Sequence, residues 1–346
     1  MRRTIFIIAF ALILSMPVYA MEFEAPLVPE AGERYMPKDT ETFSEGLWFV
    51  LQSALEAFLP EISNTAKSCL QIFAIMMLLS FVDAFPGSNH RVIHLAATVL
   101  LGVILLQPSN TMIKLGAETI RQMTEYGKLL FPVLTGALAA QGGVTTSAAL
   151  YACSSFFVAM LSSVVTAVVF PLLYGYFCLS LASAAIGESM LSDLKNFTKW
   201  LISWALKIIL YVFTAYIGIT GVVSGTADAS AVKIAKLTIS GMVPVVGSII
   251  SDASETILVS AGIMKNAAGI YGILAIIAVL VGPLLKIGAQ YLLLKVTAYT
   301  CAVFSTKEGS GLLKDFSAGI GMILAMTGTV SLLLLISIVC FMKGVS

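Results

Sequence analysis

Uncharged apolar runs recur along the chain from residue 68 onward. A bilayer crossing takes about 20 such residues. Ser68 to Val82 is a short candidate, and Val92 to Ile113 is an ample one. No charged residue occurs between Lys128 and Glu188, a run of 59 residues. At about 1.5 Å per residue this is about 90 Å of helix, more than two crossings of about 30 Å use. The run therefore predicts a re-entrant or broken segment over 129–145, a span over about 146–170 and another over 172–187, with Pro171, Tyr174 and Gly175 at the turn. Leu201 to Val223 follows, then a second broken segment from Leu237 to Ser251. Ala267 to Leu285, Ile287 to Phe304 and Phe316 to Met342 complete an all-α, polytopic helical membrane protein of about eight spans.

Two proline contexts recur at one offset. Phe131-Pro132-Val133-Leu134 is echoed by Val243-Pro244-Val245-Val246, and Pro171-Leu172-Leu173 by Pro283-Leu284-Leu285, each pair 112 positions apart. Arg121 falls on Lys233 and Lys195 on Lys307 at the same spacing. A fixed offset marks a duplicated unit. Each unit has an odd number of predicted spans, so the copies, 113–223 and 225–335, are expected to be inverted in the membrane, with Pro/Gly-broken segments meeting near its midplane.

Composition agrees with the pattern. Of 346 residues, 58% are hydrophobic and only 11% charged, whereas soluble domains carry about 25% charge. The apolar excess must face lipid. A net charge of +1 argues against a nucleic-acid surface.

Residues 1–20 read as a signal peptide: Arg2 and Arg3, an apolar stretch from Ile5 to Met16, and the small residue Ala20 after Val18-Tyr19. Cleavage there puts the new N-terminus outside the cytoplasm. Residues 21–67 then form an extracytoplasmic acidic arm and an interfacial helix. The arm is rich in Glu and contains Pro26, Pro29 and Pro37, a mix that predicts an extended, loosely held segment. Phe43, Leu47, Val50, Leu51, Ala54 and Phe58 recur at helical spacing up to Pro60. Residues 68–112 hold the first two spans, 113–223 the first repeat and 224–346 the second. Eight spans place both ends outside, although the Lys and Arg distribution runs against the positive-inside bias.

The chemistry-bearing residues are few. Cys69, Cys153, Cys178, Cys301 and Cys340 lie in or beside apolar runs without metal spacing and read as free thiols. No catalytic, nucleotide-binding or metal motif is present, so neither an enzyme nor a cofactor is expected.

Three constellations stand out. Lys114, Glu118, Arg121, Glu125 and Lys128 alternate in sign along one helix face, as a solvated stripe or as a docking or pore-lining face. Pro244 and Gly247 break an apolar run ahead of Asp252 and Glu255. That acidic pair suits either a helix start or the acidic mouth of a polar path. Lys295, in mid-run with Gln290 and Tyr291 close by, must face protein or water, and is the nearest counter-charge available to Asp252 and Glu255. Together with Pro132, these are the candidate residues of a conduit or polar path.

The stretch Val243-Pro-Val-Val-Gly-Ser-Ile-Ile-Ser-Asp-Ala-Ser-Glu-Thr-Ile-Leu258, followed by Ser260-Ala-Gly and Lys265-Asn-Ala-Ala-Gly-Ile-Tyr-Gly272, resembles the stage III sporulation protein AE family of endospore-forming bacteria. The resemblance extends over essentially the whole chain. It implies a multi-pass subunit of the complex joining mother cell and forespore, in the mother-cell-derived outer forespore membrane. It implies as partners the other proteins of its operon, including a secretion-type ATPase and ring-forming subunits, and the forespore-side channel protein. The expected role is a channel- or permease-like subunit. The alternatives are a non-conducting scaffold that recruits ring and ATPase subunits, or a stand-alone ion-coupled transporter.

Overall fold

The computed structural model describes residues 26–37, 42–83, 90–242, 246–303 and 307–343, with the helical backbone alone over 218–242 and 246–258. The described residues are helical throughout their regular structure. A short helix α1 (Glu30–Glu33) precedes α2 (Phe43–Asp83), α3 (His90–Ala140) and α4 (Val144–Val164). A π-turn over Val165–Val169 joins α4 to α5 (Phe170–Ile186) without a break. Then come α6 (Ser189–Met242), α7 (Val246–Cys301) and α8 (Lys307–Lys343).

Among the described residues, five helical segments are long and apolar enough to cross a membrane: Leu95–Ala140, Val144–Ile186, Ser189–Ile217, Val259–Cys301 and Gly309–Lys343. Eight spans were expected; two fewer arise where the chain continues through Pro171 and Pro283, and the span expected over Ser68–Val82, on α2, is not among the five. Pro60, Pro108, Pro132 and Pro283 all lie inside continuous helices, so α2 runs past Pro60 to Asp83, and the interval read as two spans on either side of Leu285 is a single helix. At Pro171 the chain also continues. The π-turn sits immediately ahead, where the Phe170 N–H bonds back five residues to the Val165 carbonyl. An inner proline removes one helical hydrogen bond and crowds the preceding turn, and a local widening of this kind absorbs the misfit. Cutting apolar runs into bilayer-length pieces therefore overcounts: a helix of 43 residues is about 65 Å long, twice the hydrocarbon thickness.

Two of the described reversals fall at glycines. Gly142 has φ 94° and Gly187 φ 77°, backbone that a side chain rarely tolerates. The Gly143 N–H bonds to Leu138 O across the first turn, and the Gly187 N–H bonds to Ser183 O at the second, so each helix end is closed by its own carbonyls.

Side-chain pairings fix the helix directions. Along α3 and α8, Gly116 lies against Ile323, Met123 accepts a hydrogen bond from Ser331 and Phe131 stacks on Phe341, so the two run parallel. Along α7 and α8 the order is reversed: Tyr291 meets Ser317 and Gly321, Gly272 meets Ile338 and Gly269 meets Met342. Lys195 pairs with Asp315, while Lys199 and Ser203 share a groove with residues 318–325, so α6 is parallel to α8. Phe177 packs on Phe316 and Phe157 on Phe213, so α4–α5 runs against α6 and α8.

These directions do not support the inverted repeat. The 112-residue offset carries 144–186 onto 256–298 and 189–223 onto 301–335. Segments 144–186 and 256–298 run one way, and α6 and α8 both run the other, so the corresponding segments are parallel. The first break, at 141–143, lies where Gln141 touches Gly262 on α7, whereas Pro244 and its neighbours 243–245 in the second segment lie outside the described residues.

The core runs the length of the bundle with α8 near its axis: Phe316, Ile320, Ile323, Leu333, Leu334 and Phe341 are all wholly buried. The first described residues also join it. Val28, Ala31 and Met36 pack on the core, Gly32 lies against Val279 and Tyr35 against Gly282. The Ala31 N–H donates to Gln122 Oε1 at 3.1 Å. Residues 26–37 are thus docked, where the acidic composition had suggested a loose arm. The apolar side chains interleaved with its charges supply a packing face that a compositional average conceals.

Candidate functional site

Two polar regions emerge on the described surface. The first is the stripe on α3. Lys114, Glu118, Arg121, Glu125 and Lys128 are all exposed, as a solvated face requires, but they occupy the middle of a 51-residue helix and not a separate surface helix. Arg121 is the hub. Its Nε donates to Glu118 Oε2 at 2.9 Å, and its Nη1 bonds both oxygens of Glu125 at 2.7 and 2.9 Å. Gln122 donates from Nε2 to Glu118 Oε1 at 2.8 Å and accepts the Ala31 N–H, tying the stripe to the docked N-terminal segment. Placing these charges against lipid would cost about 2.5–3.5 kcal/mol for each Arg, Lys or Asp at mid-membrane. The stripe therefore faces water or protein.

The second region is the junction of α6, α7 and α8. Lys195 and Asp315 form a 2.6 Å ion pair with side chains only 11% and 23% exposed. The Tyr176 hydroxyl donates to the Asp315 carbonyl at 3.1 Å, so α5, α6 and α8 are joined at one point. A groove of about 490 Å³ opens one turn further along. It is lined by Lys199, Ser203, Tyr291, Ala318, Gly321, Met322, Leu324 and Ala325. Lys295 is half-buried, donates to the Tyr291 hydroxyl at 2.7 Å and lies 4.9 Å from the centre of that ring. The ammonium expected to face protein or water thus has a tyrosine hydroxyl as a partner.

The other candidates do not assemble with it. Pro132 is exposed on α3. Pro244 lies outside the described residues. Gly247, Asp252 and Glu255 fall on the first turns of α7, where side chains are not described. Lys295 is 40 residues beyond Glu255 on the same helix, about 60 Å away. It cannot be the counter-charge of that acidic pair within one chain. Sequence reading missed the Lys195–Asp315 pair because Lys195 falls between two predicted spans, 172–187 and 201–223. The available signal was an aspartate immediately ahead of the long apolar run that starts at Phe316. Among the described residues no group of His, Cys, Asp and Glu is placed to hold a metal, and the five cysteines are unpaired thiols.

Comparison with known proteins decides the family. The model of the family described as "Stage III sporulation protein AE" matches residues 36–344. The chain belongs to the stage III sporulation protein AE family. A relative of that name from Bacillus subtilis (strain 168) is 25% identical over 230 residues, which cover 66% of this chain and 57% of the relative's length. No solved structure matches. The family is a sporulation family, and the chain joins it as a helical protein of membrane character.

Proposed function

We propose that this chain is a multi-pass membrane subunit of the assembly joining mother cell and forespore, in the outer forespore membrane, and that it works as a packed platform on which other subunits are mounted. The observation that carries the platform reading is the filled axis. Among the described residues, the central helix packs wholly buried side chains from Phe316 to Phe341, among them Ile320, Ile323, Leu333 and Leu334, which supports a filled interior. The described helix directions give no support to the inverted repeat that would have favoured a permease. The family supplies the sporulation setting.

The mounting surface is the α3 stripe with the segment docked beside it. The stripe shares a compartment with residues 26–37, because Gln122 links them directly. If the signal peptide is cleaved, that compartment is extracytoplasmic, the space between the two membranes. A secreted or forespore-side ring would meet the stripe there. A channel reading keeps one form, in which the exposed stripe lines a conduit between several subunits. The discriminating experiment is reconstitution of the purified chain alone in liposomes loaded with a small anionic dye. The platform reading expects retention of the dye at the level of empty liposomes. Release that scales with protein would overturn it.

A further inference from the structure

The groove at the α6–α7–α8 junction has a charge balance that its packing does not require. Lys195 is neutralised by Asp315 at 2.6 Å. Lys199 forms no ion pair among the described residues, and Lys295 is held only by the neutral hydroxyl and ring of Tyr291. Lys199 lines the groove together with Tyr291, and Lys295 reaches the hydroxyl of that same tyrosine from outside the lining. Tyr291 itself is fixed. Its backbone carbonyl accepts a hydrogen bond from Ser317 Oγ at 3.2 Å, and Gly321 leaves the space its ring occupies. Apart from Ser203, the rest of the groove is apolar: Ala318, Gly321, Met322, Leu324 and Ala325.

The groove also lies at a defined height. Immediately beside it, Phe197, Trp200 and Trp204 stack in series with ring centres 5.9 Å apart, and all three are about half exposed. Exposed tryptophans of this kind gather at the headgroup level of a bilayer.

We propose that this groove binds an anionic phospholipid, its phosphate between Lys199 and Lys295 and an acyl chain along Ala318, Gly321 and Ala325. The charge complementarity selects the ligand. A zwitterionic headgroup would bring its own cation to two uncompensated lysines, whereas a phosphatidylglycerol- or cardiolipin-type headgroup supplies only negative charge. The phenol of Tyr291 positions the Lys295 ammonium toward that headgroup. Binding would staple α6 to the α7–α8 hairpin at the membrane surface.

The test uses the full chain in nanodiscs of phosphatidylcholine, titrated with phosphatidylglycerol or cardiolipin. Bound lipid is counted by native mass spectrometry, and melting temperature is followed in parallel. The wild type is expected to retain an anionic lipid and to melt several degrees higher in its presence. Lys199→Gln with Lys295→Gln should reduce retention at least fivefold and abolish the shift, while Lys343→Gln changes neither. Ala325→Phe keeps both lysines but fills the mouth of the groove from an exposed position, and should lose the lipid with the fold intact. Equal retention in the wild type and both groove variants would overturn the site. So would an equal shift from phosphatidylcholine, or one reproduced by inorganic phosphate alone.

Discussion

The α3 stripe and the α6–α8 junction use the same kinds of residue to opposite ends. Around Arg121 the ion pairs are local, three and four residues apart on one helix, and about half exposed. Such pairs are worth about 0–1 kcal/mol each. They do not hold the bundle together, and so the stripe is better understood by what it presents. Lys195 and Asp315 are 120 positions apart in sequence and largely shielded from water. Burying that pair has a desolvation cost that its attraction offsets only while both partners remain. A charge network costing nothing to alter points to function, and one costly to break points to architecture.

The largest expected effect comes from separating the buried pair. Lys195→Met leaves the Asp315 carboxylate without its cation and should destabilise the protein by about 3–5 kcal/mol. Lys195→Met with Asp315→Leu should recover most of that loss. Thermal unfolding in detergent measures both. If the single variant melts like the wild type, the pair is not structural and the contrast with the stripe collapses.

A middle-sized effect is expected at the docked segment, which adjoins the stripe but packs like the core. Tyr35→Ala with Met36→Ala removes partly buried side chains that pack on the α2–α7 contact at Val50, Ala54, Ala278 and Val281. The expected loss is about 1–3 kcal/mol, read by the same melting experiment and by faster proteolysis ahead of α2. A variant protected as well as the wild type would return this segment to the loose arm that its composition suggested.

What the sequence made legible follows from these physics. Membrane character and helical class need only the density and length of apolar runs, and those are unambiguous. The stripe was legible because its period matches a helix turn and needs no tertiary information. Helix boundaries were not legible. A proline in an apolar run ends a helix in water more readily than in a bundle, where the π-turn at Val165–Val169 and neighbouring helices tolerate Pro171. The repeat offset was readable, but the inverted orientation inferred from it depended on a span count that the described helices do not support. The buried pair was least legible, since nothing local to Lys195 announces a partner 120 residues away.

The smallest effect on stability should accompany the largest on assembly, and it bears on the central claim. Arg121→Glu removes the hub of the stripe and reverses its charge at an exposed position, with an expected stability change under about 1 kcal/mol. The decisive measurement is the amount of the other sporulation-operon subunits recovered with this chain from sporulating cells, at equal membrane levels of variant and wild type. A platform that mounts its partners through the stripe predicts at least a tenfold loss of recovery with an unchanged melting temperature. Full recovery of every partner by Arg121→Glu, with normal spore yield, would contradict it.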